Sequence, residues 1–245
     1  MPLSTCWEHV WSAPNEIPSD LPATLLRASV RASVGGSVAL AFPKLAHAFP
    51  ETTEALCKQW TSPRLVARQF RTRWQLSLVA QRGNLNLFFD IGNAGYDEEG
   101  PAFESECKML PATWRELYRY FWSFGITEAD EIGLYWMNTP FSWASRWDIA
   151  EFDKAFPMAK SCSRDLAKLG VRSGWRCWLA TDGGDTLWIN EAHNDQSVFH
   201  VRAEPAASQP RRVDEPGVLL DKYLSHVLSG GRSQEFNFRA VAGAA

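Results

Sequence analysis

The chain has no pair of cysteines at C-x-x-C spacing. Its five cysteines, Cys6, Cys57, Cys107, Cys162 and Cys177, are odd in number and widely spaced. That pattern argues against a disulfide framework or a cysteine zinc site and favours reduced, mostly buried thiols. No apolar run approaches the ~20 residues that span a bilayer. Met1 to Trp11 has neither the basic start nor the apolar stretch of a secretory signal, so a cytoplasmic protein without membrane contact is expected. There is no G-x-x-x-x-G-K-[ST] and no G-x-G-x-x-G after a strand, the two glycine patterns that cradle phosphates. Basic charge is not in excess either, with 25 Lys and Arg against 28 Asp and Glu, whereas a nucleic-acid binder is expected to carry a strongly basic face.

Apolar and aromatic residues are abundant. Hydrophobic content of 45%, with 12 Trp and 14 Phe, is ample for a packed core and excludes a disordered chain. A length of 245 residues suits one large domain or two small ones. The net charge of −3 conceals an uneven distribution: residues 97–153 hold 12 acidic and 4 basic side chains. Two acidic clusters stand out there, Asp97, Glu98, Glu99, Glu104 and Glu106, then Glu128, Asp130 and Glu131. Contiguous on a folded surface, they would repel nucleic acid and attract a basic protein. The bland reading of the first cluster is a solvated loop around Gly100-Pro101.

The clearest structural signal is Trp175 to Val201. Two apolar runs, Trp175 to Ala180 and Thr186 to Asn190, flank Asp182-Gly183-Gly184-Asp185, and a third, Ser197 to Val201, follows a turn at His193 to Gln196. Together they predict a three-stranded antiparallel meander. Trp74 to Ala80 and Leu85 to Ile91 predict an earlier hairpin, and Ile132 to Asn138 predicts another strand. Helices are expected over Ala23 to Val34, in two pieces over Pro43 to Trp60, from Leu110 to a stop at Gly125, within Phe141 to Phe156, over Ser161 to Leu169, and over Val218 to Leu228 before Gly230-Gly231. Thr113 followed by Glu116 has the spacing of a capping box. Ser37 to Phe42 suggests a strand, Arg64 to Arg73 reads as either a helix or an extended edge, and the tail to Ala245 is weakly patterned. The fold class is therefore α+β, with antiparallel meander sheet packed on helices. Counted 100 positions apart, Ala80, Gly83, Leu87, Phe88, Phe89 and Asp90 meet Ala180, Gly183, Leu187, Trp188, Ile189 and Asn190, and Leu-Pro-Ala-Thr occurs at both Leu21 and Leu110. A duplicated helix-plus-meander unit, divided near residues 100 and 101, would explain both, with chance as the rival.

Over about residues 108–230, Leu110, Pro111, Trp114, Leu117 and Phe121, the turn and strand Gly183, Gly184, Asp185, Leu187, Trp188 and Ile189, the strand Val198, Phe199 and Val201, and the closing Leu219, Leu220, Tyr223 and Leu224 together resemble the SUKH superfamily. The resemblance implies an α+β unit and a bacterial immunity protein that binds and neutralises a cognate toxin. It implies no catalysis and no cofactor. On that reading the partner-binding residues are Asp97, Glu98, Glu99, Glu104, Glu106, Glu128, Asp130 and Glu131, which steer a basic partner, with Tyr135, Trp136 and Trp143 as aromatic anchors.

Other chemistry has weaker support. Ser37 in Gly35-Gly36-Ser37-Val38-Ala39 nearly matches a nucleophile elbow, but helix precedes and strand follows, the reverse of what that turn requires. His193, Asp195, His200, Asp182 and Asp185 could be imagined as metal ligands, yet their turn and strand positions suit a solvated face better. Arg64, Arg68, Arg71, Arg73 and Arg82 lie near Trp60, Phe70 and Trp74, where arginines covering apolar surface outweigh a nucleic-acid groove. Trp136, Trp143, Trp147, Trp175, Trp178 and Trp188 leave open a carbohydrate-stacking surface or an aromatic ligand pocket, although most such rings belong in a core.

Overall fold

The computed structural model describes residues 9–11, 42–70, 73–91, 108–128, 141–142, 147–155, 161–171, 173–181, 183–191, 196–202 and 209–241. In order the elements are β1 (His9–Trp11), α1 (Pro43–Ala48), α2 (Pro50–Gln59), β2 (Arg64–Phe70), β3 (Arg73–Arg82), β4 (Leu85–Ile91), α3 (Ala112–Tyr120) and β5 (Phe121–Glu128). There follow β6 (Phe141–Ser142), β7 (Trp147–Asp148), α4 (Ile149–Ala155), α5 (Ser161–Ala167), β8 (Trp175–Ala180), β9 (Asp185–Asn190), β10 (Val198–Arg202) and β11 (Arg211–Val213). The chain closes with α6 (Pro216–Leu228), a 3-10 turn at Ser233–Glu235 and α7 (Phe238–Val241).

Two antiparallel sheets result, each with its strands in sequence order. One runs β1-β2-β3-β4-β5-β6 and the other β7-β8-β9-β10-β11. The fold is α+β, as the alternating apolar patterns imply, and the meander of β8, β9 and β10 has Trp188 opposite both Cys177 and Phe199. Arg64 to Phe70 resolves as the extended alternative: β2 pairs with both β1 and β3, from Arg64↔Val79 to Phe70↔Arg73.

Helix α6 is the centre of the main core. Leu219, Leu220, Tyr223, Leu224, Val227 and Leu228 are all buried, far more of the helix circumference than a surface helix presents. Around it lie Phe49, Leu56 and Trp60 from the α1–α2 region, Trp114 and Leu117 from α3, Leu78, Ala80, Leu87 and Phe89 from one sheet, and Leu179, Leu187 and Ile189 from the other. Residues on both sides of position 100 thus share this core, and β4 pairs with β5 across it. The second sheet is covered on its other face as well, by Phe152 of α4 and Cys162 and Leu166 of α5 against Trp175, Cys177, Trp188 and Val201. Hence every residue of β9 is buried. A bulge between Cys177 and Leu179 turns Trp178 and Leu179 together into the main core, where strict alternation would have sent one of them outward.

Three expectations are corrected. Helix α3 stops at Tyr120 and passes directly into β5, so Gly125 is a strand residue opposite Phe88. Pairing along β4 overrides the helical periodicity there, and the alternation of Phe124, Ile126 and their polar neighbours was the signal for it. Thr113 lies inside α3, with its side chain against Gly217 of α6, and is not the helix cap. Of the stretch Phe141–Phe156 expected to hold helices, the described residues form β6 (Phe141–Ser142) and β7 (Trp147–Asp148) before the helix α4 (Ile149–Ala155). The expected helix over 23–34 and the strand over 132–138 lie outside the described residues, as does the strand expected over 37–42 except for Phe42, which is the N-cap of α1.

The two hairpins aligned at a spacing of 100 are built on different turns. β3 and β4 are joined through Gly83 and Asn84, with φ +58° at Gly83 and Ala80 opposite Leu87. β8 and β9 are joined over residues 181–184, with the positive φ of +80° at Gly184 and Ala180 opposite Thr186. Even so, Leu87 and Phe89, like Leu187 and Ile189, reach the same core.

Candidate functional site

Of the residues weighed in the sequence as metal ligands, the structure brings two together. His200 Nε2 lies 2.6 Å from Asp185 Oδ1, joining β10 to the start of β9. Both are buried, at 1% and 5% exposure, where a solvated strand face was expected. The reason lies in the tail: Phe238 of α7 lies over the imidazole, with centroids 5.6 Å apart and planes within 10°. Asp185 is held from the turn as well, its backbone N–H donating to Thr181 Oγ1 at 3.1 Å. Asp182, His193 and Asp195 lie outside the described residues, and so does Ser37. Among the described residues no three His, Cys, Asp or Glu side chains converge as a metal site would require.

The other buried polar groups act as struts. Asp221 of α6 accepts hydrogen bonds from the backbone N–H groups of Glu51 at 3.0 Å and Thr52 at 2.8 Å, while Thr52 Oγ1 donates to the Asp221 carbonyl. A carboxylate from one helix thereby caps the N-terminus of another. At the far end of α6 the Leu228 carbonyl accepts from the Trp60 indole at 2.9 Å and from Arg82 Nη1 at 2.8 Å, with the Arg82 guanidinium 4.7 Å from the centre of the Trp60 ring. Arg82, one of the basic residues near aromatic rings, is thus committed inside the protein. In the second core, Trp188 donates to Thr186 Oγ1 and Thr186 donates on to the Val201 carbonyl.

Trp175, Trp178 and Trp188 are buried at 2%, 2% and 0% exposure, so none of the three offers a sugar-stacking surface. Burial pushes the Cys177 thiol well above its ordinary pKa of 9.0, and the neighbouring Cys162 acts in the same direction. Cys162 and Cys177 are the buried free thiols the composition suggested, whereas Cys57 is exposed.

A cleft of about 100 Å³ opens beside Cys57, lined by Leu56, Trp60, Thr61, Ser62, Pro63, Ala80 and Phe89. It is smaller than the roughly 300–1,000 Å³ of sites that enclose drug-sized ligands. Apart from the Cys57 thiol, its lining carries no ionisable side chain.

The candidate partner-binding residues fall mostly beyond the described residues. Asp97, Glu98, Glu99, Glu104, Glu106, Asp130, Glu131, Tyr135, Trp136 and Trp143 lie outside them. Glu128 ends β5 opposite Leu85, while Ile91, the last residue of β4 before the first acidic cluster, pairs with Phe121. The two acidic clusters therefore continue from opposite ends of one antiparallel strand pair. Sequence reasoning missed Asp221 and Phe238. The signal for Asp221 was an acid amid Leu219, Leu220, Tyr223 and Leu224 on a helix with little polar face, and the signal for Phe238 was a pair of phenylalanines, Phe236 and Phe238, in an otherwise polar tail. Comparison of the chain with protein-family models, with curated proteins and with solved structures finds no match.

Proposed function

We propose that this chain is an immunity-type protein that binds a cognate bacterial toxin in the cytoplasm and neutralises it by direct stoichiometric contact. The observation that carries the reading is the charge separation: 12 acidic and 4 basic residues in 97–153, against a net positive remainder. Such a segment accelerates encounter with a basic protein, by about 10- to 1,000-fold where the field is contiguous. The resemblance of residues 108–230 to the SUKH superfamily supports the same class. In this reading the acidic residues from Asp97 to Glu131 steer the partner, and Tyr135, Trp136 and Trp143 anchor it. No helix among the described residues is long and apolar enough to cross a membrane, which is compatible with a partner met in solution.

Co-expression with the product of the adjacent gene tests the reading. Co-purification together with rescue of growth supports it, and growth arrest despite abundant folded protein counts against it. Replacing Glu98, Glu99, Asp130 and Glu131 with Lys should slow association at low salt and leave little difference at high salt. Equal association rates at low salt would remove this surface from the proposal. The rival is a small-ligand or carbohydrate-binding module or a hydrolase using an aromatic pocket, and a ligand that raises the melting temperature without a protein partner, or turnover lost through a single side-chain replacement, would establish it.

A further inference from the structure

We propose that residues 232–241 form a latch over the His200–Asp185 pair, which opens by local unfolding and exposes an imidazole already oriented by a carboxylate. The inference is independent of the toxin-binding reading. It rests on how this segment is attached. Its hydrogen bonds are local: Glu235 N–H to the Arg232 carbonyl, Phe236 N–H to Ser233, Phe238 N–H to Phe236, Ala240 N–H to Asn237, and Arg232 N–H to the Glu235 carboxylate. The one hydrogen bond among the described residues that ties it to the body is between His226 Nε2 and the Arg232 carbonyl, and His226 is itself only six residues back, at the end of α6. Beyond its own 3-10 turn and the single turn α7, no strand or helix ladder joins it to another element. Rings hold it instead: Phe238 lies between His200 and Tyr223 at 5.6 and 5.1 Å, and Phe236 rests on Tyr223 and His226 at 5.4 and 5.6 Å.

A segment docked through side chains, Phe236, Phe238 and Val241 on the main core and Gln234 against Gly183, with no ladder to another element, belongs to the low end of the local-stability range, because the entropy of ordering ten residues offsets much of what those contacts gain by burial. What it covers differs from the rest of the core. Elsewhere the buried side chains are apolar, or polar groups bonded to backbone or hydroxyl, or the Asp165 carboxylate paired with Lys168, whereas Phe238 covers a histidine in contact with a carboxylate, the pairing that supplies general bases when water or substrate reaches it. Departure of Phe238 uncovers one face of that ring and leaves β9, β10 and their pairing in place.

The contact between the latch and the β8–β9 turn provides a reversible test. A Cβ placed on Gly183 would lie 3.5 Å from the Cβ of Gln234, within the separation of about 3.5–4.5 Å that a disulfide spans, and 3.0 Å from its Cα, so the backbone at Gln234 must give by a few tenths of an ångström. The full-length double variant Gly183→Cys, Gln234→Cys is oxidised with glutathione disulfide, and modification of His200 by diethyl pyrocarbonate is followed by peptide mass spectrometry, before and after reduction. The reduced form should react about tenfold faster or more at His200 than the stapled form, as gating by a low-energy opening requires. In the wild-type protein the amides of 235–241 should exchange hydrogen well before those of β9 and α6. Equal His200 reactivity in the two forms would overturn the proposal. So would exchange of 235–241 only together with α6, which is the deciding measurement should the two cysteines fail to join.

Discussion

Replacing Asp221 should destabilise the protein strongly, and the size can be worked from the backbone accounting at α2. The first turn of a helix leaves its N–H groups without helical acceptors. Here Pro50 has none to satisfy, Thr53 N–H reaches the Phe49 carbonyl at 3.0 Å, and Glu51 and Thr52 donate to the Asp221 carboxylate. The N-cap residue, Phe49, offers no side-chain acceptor. Asp221→Ala therefore strands two donors, one of them on Thr52, which is 2% exposed. Hydrogen bonds to a charged acceptor contribute about 1.5–3 kcal/mol each, and an orphaned buried donor costs about 1–3 kcal/mol. Water can reach Glu51, which is exposed, so its loss is mild. The sum expected is about 3 kcal/mol, a large share of the roughly 5–15 kcal/mol that folded proteins possess.

Urea unfolding followed by tryptophan fluorescence measures this. The midpoint should fall by about 1 M at an unchanged slope, taking a slope of about 3 kcal/mol/M. Asp221→Asn keeps one acceptor oxygen and the side-chain shape but loses the charge at the positive end of α2, so about half the penalty should remain, roughly 1–2 kcal/mol. A loss below about 0.5 kcal/mol for the alanine variant, the size of an ordinary surface substitution, would refute the accounting. An asparagine variant as unstable as the alanine one would show that side-chain geometry, and not hydrogen bonding to a charge, holds α6 to α2.

Two further outcomes follow from close packing and from burial. Gly217→Ala would place a Cβ 2.6 Å from Thr113 Oγ1 and 3.0 Å from its Cβ and Cγ2, so it should lower stability by about 1–3 kcal/mol. Adding Thr113→Ala should restore part of that loss, as thermal melts of the single and double variants would show. For Cys177 the folded pKa is raised, so its contribution to stability is whole below the thiol's unfolded pKa near 9.0 and is lost as pH rises from there toward the folded value. Between neutral pH and pH 10 the wild type should therefore lose more stability in urea than Cys177→Ala does, and at pH 8 iodoacetamide should label Cys57 while sparing Cys177.

The legible part of the fold was the part written in short-range periodicity. β8, β9 and β10 are apolar runs separated by the Gly183-Gly184 turn and by a polar stretch at 193–196, and α6 carries apolar residues at helical spacing up to Gly230 and Gly231, whose N–H groups close the helix on the Val227 and His226 carbonyls. Where two periodicities overlapped, as from Tyr120 to Gly125, the helical one was extended too far, because the decisive fact is hydrogen bonding to β4, some 35 residues earlier in the chain. The bulge at Cys177–Leu179 and the transfer of Asp221 to the cap of α2 are likewise decided between elements distant in sequence. In the candidate site, His200 and Asp185 were each visible as polar residues of the meander. Their burial was not, since it depends on Phe238, which stands almost forty residues beyond His200.

The interior is organised by one helix to which distant parts of the chain report. α6 receives Trp114 Nε1 at the Pro216 carbonyl, caps α2 through Asp221, and binds Trp60 and Arg82 at Leu228. These contacts tie residues 49–60, 82 and 110–118 to 216–228, so β3 and β4 cannot separate from the α3–β5 segment without breaking them. The acidic clusters continue from the two ends of that same β4–β5 pair. If a partner engages those clusters as proposed, none of its binding energy goes into assembling β4 and β5, because α6 has already fixed the segments that carry them. That preorganisation is what an inhibitor acting by contact alone requires, since ordering at the moment of binding is subtracted directly from affinity.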